Sequence, residues 1–124
     1  MIVGMDIDDT ISRHPDFFSL LSRALVASGH SVIIITVRQG RADTERQLRD
    51  WGIAYDTLIT FPSEQAPLDL IAWKARMCAD SSIEILFEDS VEVVQRMDHG
   101  RTLCMIPIDP RFHDLAQMIC RGSL

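Results

Sequence analysis

The sequence has no surplus of basic charge. Lys and Arg number 12 against 18 Asp and Glu, for a net charge of −6 and a pI near 5.0. A generic nucleic-acid coat needs a basic field, so the balance speaks against that class. Cysteine is scarce: Cys78, Cys104 and Cys120 are scattered and odd in number. No CxxC or Cys/His spacing occurs, so neither a disulfide framework nor a zinc site is expected, and reduced thiols point to the cytoplasm. No secretory signal pattern opens the chain, and its apolar runs are too short to span a bilayer. Repeats, low-complexity segments and Pro/Gly-rich linkers are missing too, so residues 1–124 read as one domain. There is no GxxxxGK[ST] phosphate loop and no persuasive Ser/His/Asp order. His30, His99 and His113 lack ligand spacing.

What is present is a globular composition, 47% hydrophobic and 24% charged, able to bury a sizeable core. Strand and helix patterns alternate. Residues 1–7 read as a strand, and "HPDFFSLLSRALVASGH" as a helix with Phe17, Leu20, Leu21, Ala24 and Leu25 at helical spacing. "SVIIIT" is a β-branched run of the kind buried on both faces of a parallel sheet. Helix 42–51, strand "YDTLITF", helix 67–79, strand "SIEILFE", helix 90–99, strand "TLCMIPI" and helix 111–121 follow. The pattern predicts an α/β fold, a five-stranded parallel sheet in a Rossmann-like three-layer sandwich. Sites in such sheets form beyond the carboxyl ends of the strands.

Those ends carry a consistent set of groups. "MIVGMDIDDT" ends the first strand in Asp6, Asp8 and Asp9, then Thr10. The second strand ends in Thr36, followed by Val37 and Arg38, and the fourth in Glu88 and Asp89; Lys74 lies on the helix before it. Arg38, Arg41, Arg46 and Arg49 otherwise read as a solvated helix face. Asp6 and Asp8, two apart in a strand, share a face. Two carboxylates about 4 Å apart repel by roughly 4 kcal/mol at an effective dielectric near 20. A cation relieves that repulsion, and an all-oxygen ligand set suits Mg²⁺, which keeps room for waters and a substrate phosphate. A carboxylate can attack phosphorus, a second can carry protons, and a hydroxyl and an ammonium can bind the phosphoryl oxygens.

With these residues the sequence resembles the haloacid dehalogenase superfamily of phosphohydrolases. "DIDDT" matches its DxDx[TV] motif, Thr36 in "VIIIT" the hydroxyl ending the next strand, Lys74 in "LIAWKAR" the later lysine, and Glu88 and Asp89 in "ILFEDS" the acidic pair. The resemblance implies Asp6 as nucleophile and Asp8 as general acid/base with its backbone carbonyl on Mg²⁺. It implies Thr36 and Lys74 on the transferring phosphoryl group, Asp89 on Mg²⁺, and Glu88 supporting Asp89 or a metal water. Thr10 would fix the loop. Asp9 stands where the family often has Gly, and no chemistry is assigned to it. The interval from Asp6 to Thr36 holds a short flap and one helix, and that from Thr36 to Lys74 a helix, a strand and a helix start, so a minimal member without a cap domain is expected.

A narrower similarity links "TVR" to the Ser-Gly-Arg motif of the phosphatase domains of polynucleotide kinases, with Val37 in place of Gly and Arg38 expected on substrate phosphate. It implies nucleic-acid 3′-ends as an alternative to a small phosphorylated metabolite or nucleotide. A catalytically silent binding module is a further alternative. A bacterial receiver domain is disfavoured, since its phosphoacceptor Asp belongs at the end of the third strand, here "LITFPS". Arg13 and His14 sit in the flap, where a solvated loop is the expectation. On helix 67–79, Leu68, Ile71, Ala72, Ala75 and Ala79 form one apolar stripe and Leu70, Trp73 and Met77 a second, which predicts the last helix or a second subunit on the Trp73 face, with homo-oligomerisation the expectation.

Overall fold

The structure, a computed structural model, describes residues 1–62 and 69–107. Its strands are β1 (Ile2–Met5), β2 (Ser31–Ile35), β3 (Thr57–Ile59), β4 (Ile85–Phe87) and β5 (Leu103–Met105). Its helices are α1 (Pro15–Ala27), α2 (Arg41–Asp50), α3 (Leu70–Asp80) and α4 (Val91–Gln95). The five strands form one parallel sheet in the order β3-β2-β1-β4-β5. The α/β sandwich with a five-stranded parallel sheet is thus as expected. Helix 111–121 and Cys120 lie outside the described residues.

Two apolar layers sandwich the sheet. Val3, Met5, Val32 and Ile34 point to the face covered by Phe18 of α1 and Leu48 of α2. Ile35, Ile83 and Leu86 pack with Cys78 of α3 and Val93 of α4 on the other. Alternate strand residues therefore serve opposite layers, as the two-residue period requires. The chain winds from β1 outward to β3, then returns to start β4 on the other side of β1. That reversal of strand order opens the crevice in which sheets of this kind bind ligands.

Register brings the strand ends level. Met5 pairs with Ile34 on one side and Phe87 on the other. The next residues, Asp6 and Glu88, therefore leave the sheet side by side.

Three expectations change. On α1, Phe17 and Leu20 are 53% and 66% exposed, while Phe18, Ser19 and Ser22 are buried. The helix is rotated because its serines dock: Ser19 Oγ donates to Gly52 O at 2.9 Å, and Ser22 Oγ accepts from the Ala54 N–H at 3.0 Å. Helix α4 covers only Val91–Gln95 of the predicted 90–99, since Asp98 turns the chain by accepting the Gly100 N–H at 3.0 Å. Finally, Trp73 is 4% exposed and packs edge-to-face on Phe61, ring centroids 5.0 Å apart. Its ring is enclosed within its own chain, so the expected homo-oligomer contact through Trp73 loses its basis. Among the described residues no helix is long and apolar enough to cross a membrane.

Candidate active site

Asp6 extends β1 by one residue. Its N–H still donates to Phe87 O at 3.0 Å, while its carboxylate stands clear of the sheet tip. The chain then makes a single wide turn over Ile7–Ile11, closed by the Ser12 N–H on Ile7 O at 3.0 Å. Ile7 and Ile11 are fully buried, which leaves Asp8 and Asp9 outside. Burial of the two isoleucines, roughly 2 kcal/mol each, is of the same size as the repulsion among the acids it holds together. Thr10 lies beneath the turn. Its Oγ1 is 3.2 Å from Asp6 Oδ2 and 3.1 Å from Asp89 Oδ1, so its single proton serves one carboxylate at a time.

Glu88 and Asp89 arrive from β4. One Glu88 oxygen accepts the Ser90 N–H at 3.1 Å. The other, Oε2, has the Lys74 ammonium 2.7 Å away. Lys74 itself contacts Asp6 Oδ1. Helix α3 presents this lysine from a fixed frame. Asp69 caps the helix by accepting from the N–H groups of Ile71 and Ala72, each at 3.1 Å, and Trp73 and Cys78 anchor its inner side.

The charges do not balance. Burial pushes the Asp6 carboxyl up to about 8, with Lys74 opposing and Glu88 adding to the rise. Burial likewise raises Glu88. Burial works against the Lys74 charge, yet Asp6 and Glu88 outweigh it and hold the ammonium above its ordinary value. One ammonium faces three carboxylates, Asp6, Glu88 and Asp89, whose oxygens lie within 4.8 Å of one another. With all three ionised, two negative charges are left, which matches one divalent cation. The donors are all oxygen, as a hard cation requires, and Glu88 Oε2 offers an unused lone pair. These three residues can hold a metal ion.

Asp8 stands apart from that group. Arg38 grips it with both prongs, Nε to Oδ2 at 3.0 Å and Nη2 to Oδ1 at 2.7 Å. These bonds hold the Asp8 carboxyl below, and the Arg38 guanidinium above, their ordinary values. Asp6, Asp8, Lys74, Glu88 and Asp89 share a cleft of about 300 Å³ whose apolar wall is Val37, Leu70, Ile71 and Val93. Thr36 and Arg38 are not among its lining residues. Thr36 is fully buried, and its Oγ1 accepts the Arg38 N–H at 3.2 Å. In the flap, Arg13 lies 3.5 Å from Asp9, and His14 is exposed. A larger cavity, about 570 Å³, lies between α3 and the segment 96–102 that follows α4, but none of the acid cluster borders it, so the smaller cleft is the candidate site.

Sequence reading missed Gln47, whose Oε1 accepts from Arg38 Nη1. A glutamine on a polar helix carries no signal of its own. It also missed the bridge from Thr10 to Asp89.

No family model and no curated protein matches the chain. Solved structures do. Over 86% of this chain, a chain of the Pnkp1/Rnl/Hen1 complex superposes with a TM-score of 0.67 at 21% identity. A second structure of that RNA repair complex gives 0.69 at 20% identity, again over 86% of this chain. The matched region is 45% and 42% of those longer chains, so this chain spans less than half their length. An uncharacterized protein from Corynebacterium glutamicum ATCC 13032 Kitasato matches over 98% of this chain and 94% of its own, with a TM-score of 0.61 at 13% identity. At these identities the likeness is one of fold.

Proposed function

We propose that the chain is a Mg²⁺-dependent phosphomonoesterase that works through an aspartyl-phosphate on Asp6. The observation that carries this reading is the group Asp6, Glu88 and Asp89, the first two buried, with Lys74 as its cation, two charges short of neutrality at the sheet's carboxyl rim when all three are ionised. Mg²⁺ held by these three carboxylates would neutralise charge on the phosphoryl oxygens. Asp6 Oδ attacks phosphorus, and the bond from phosphorus to the ester oxygen breaks. Asp8 gives that oxygen a proton. The incoming phosphoryl dianion offsets the pull of Arg38 and lets Asp8 carry the proton it donates. Asp8 then takes a proton from water as the water attacks phosphorus, which frees inorganic phosphate and restores Asp6. Lys74 stabilises the equatorial oxygens. Thr36 ends the next strand and holds the Arg38 N–H through its Oγ1, so it supports the site from behind the cleft.

The leading substrate is a small phosphorylated metabolite or nucleotide, in keeping with a cleft of about 300 Å³ and a chain of net charge −6. A nucleic-acid 3′-phosphate is the second reading, favoured by the fold neighbours from an RNA repair complex. A panel of phosphate esters, nucleotides and 3′-phosphorylated oligonucleotides with Mg²⁺ separates them. Asp6→Asn keeps the shape but removes the nucleophile, so hydrolysis of every ester is lost while the melting transition stays cooperative. Undiminished turnover in that variant rules out the mechanism.

A further inference from the structure

We propose that Gln47 is a positioning residue for proton transfer, acting on Asp8 through Arg38; the inference rests on the phosphatase reading above. A guanidinium has five N–H donors in a fixed plane. Arg38 commits Nε and Nη2 to the two oxygens of Asp8, at 3.0 and 2.7 Å, and Nη1 to Gln47 Oε1. Its backbone is tied as well. The N–H donates to Thr36 Oγ1 at 3.2 Å, and the carbonyl accepts the Phe61 N–H at 3.0 Å. The side chain is thus fixed at its root by the loop and at its tip by one acceptor.

That acceptor stands on a rigid element. Leu48, the next residue of α2, is fully buried, and Arg41 at the helix start donates from Nη1 to Leu58 O at 2.8 Å. Asp8, by contrast, is 56% exposed on the flap turn. An exposed ion pair alone restrains its partners weakly, because water competes for both. A third group that fixes the guanidinium plane turns the pair into a geometric restraint, and the bidentate fork passes the orientation to the carboxylate. Helix α2 therefore sets where the Asp8 proton is offered, although no residue of α2 lines the cleft.

The test compares the Mg²⁺-loaded wild type with Gln47→Leu and Gln47→Glu on an alkyl phosphate and on p-nitrophenyl phosphate. For both esters kcat/KM reports the steps up to departure of the leaving group. An alkoxide must be protonated as it leaves, whereas p-nitrophenolate departs without help. We expect kcat/KM of Gln47→Leu to fall about tenfold on the alkyl ester, part of the roughly 10²–10⁴-fold that a placed general acid supplies, and less than about twofold on the aryl ester. Gln47→Glu keeps an acceptor of the same reach and recovers most of the loss. By NMR, the Arg38 Nε–H exchanges with water about tenfold faster in Gln47→Leu, since its closed state is held less firmly. Equal losses on both esters, no loss, or unchanged Nε–H exchange overturns the inference. A wild type inert on both esters removes the phosphatase reading and the inference with it. An active wild type with an indifferent Gln47→Leu removes the inference alone.

Discussion

Asp9 holds φ at 61° and ψ at 8°, the left-handed region, in the middle of the turn that follows Asp6. Asp tolerates that region, and a β-branched side chain does not. This explains why glycine is common at this place in the family that the motif resembles: the position needs a conformation, not a charge. The contacts of Asp9 agree. Its N–H donates to Ser12 Oγ at 2.9 Å, and its carboxylate meets Arg13 only at 3.5 Å and 64% exposure, a pair worth little. Asp9→Gly should stay within about 1 kcal/mol of wild type in urea unfolding, because relief of the backbone offsets the extra unfolded-state entropy. Asp9→Val should cost about 1–2 kcal/mol, the penalty of a left-handed side chain with a branched Cβ. Equal stability of the two variants would mean that the turn can rearrange and that this backbone geometry is not required.

Elements were legible where one residue pattern dictated them. The β-branched run of β2 and the apolar runs before Asp6 and Glu88 read directly as parallel strands, and each acid sits at the rim because it follows its strand immediately. Side-chain partnerships were not legible. The face that α1 buries follows Ser19 and Ser22, whose hydroxyls meet Gly52 and Ala54 more than thirty positions on, and apolar periodicity does not register serines. Trp73 is claimed by Phe61 from the segment after β3, so the second apolar stripe on α3 has a partner for its largest side chain within the chain itself. Gln47 needed the fold to reach Arg38. One close approach between elements makes a prediction of its own. At Gly4, in the middle of β1, an added Cβ would meet Leu86 Cδ1 at 3.0 Å and Ile83 Cγ2 and Cδ1 at 3.1 and 3.2 Å. Gly4→Ala should therefore cost about 1–3 kcal/mol by overpacking the layer beneath α3, read as a lower urea midpoint at unchanged slope. A variant as stable as wild type would mean that Leu86 and Ile83 repack freely.

At the scale of the molecule, stability and protons are linked through Asp6 and Glu88, two of the carboxylates that could hold a metal ion. Asp6 has an ordinary value of 3.8 and is raised to about 8 in the folded chain, and Glu88 is also raised. Below the ordinary value both folded and unfolded chains hold the Asp6 proton. Between 3.8 and about 8 the folded chain keeps a proton that the unfolded chain has released, so metal-free stability falls as pH rises through that window. Asp8 has the opposite sign: Arg38 lowers it, so its contribution is present above its ordinary value and lost only on acidification below it. A divalent cation held by these oxygens would replace the proton as the counter-charge, and its binding would release that proton. In chelator the chain should therefore melt lower at about pH 8.5 than at about pH 5.5, because the cluster is then charged and uncompensated. Mg²⁺ at ~100 times its dissociation constant should restore about 2.7 kcal/mol at the higher pH and much less at the lower, where protons compete for the same oxygens. Asp89→Asn removes one of the three candidate ligands and should shrink the Mg²⁺ shift. Melting that is flat across pH in chelator, or a Mg²⁺ shift equal at both pH values, would mean that the buried carboxylates are not the groups that bind the ion.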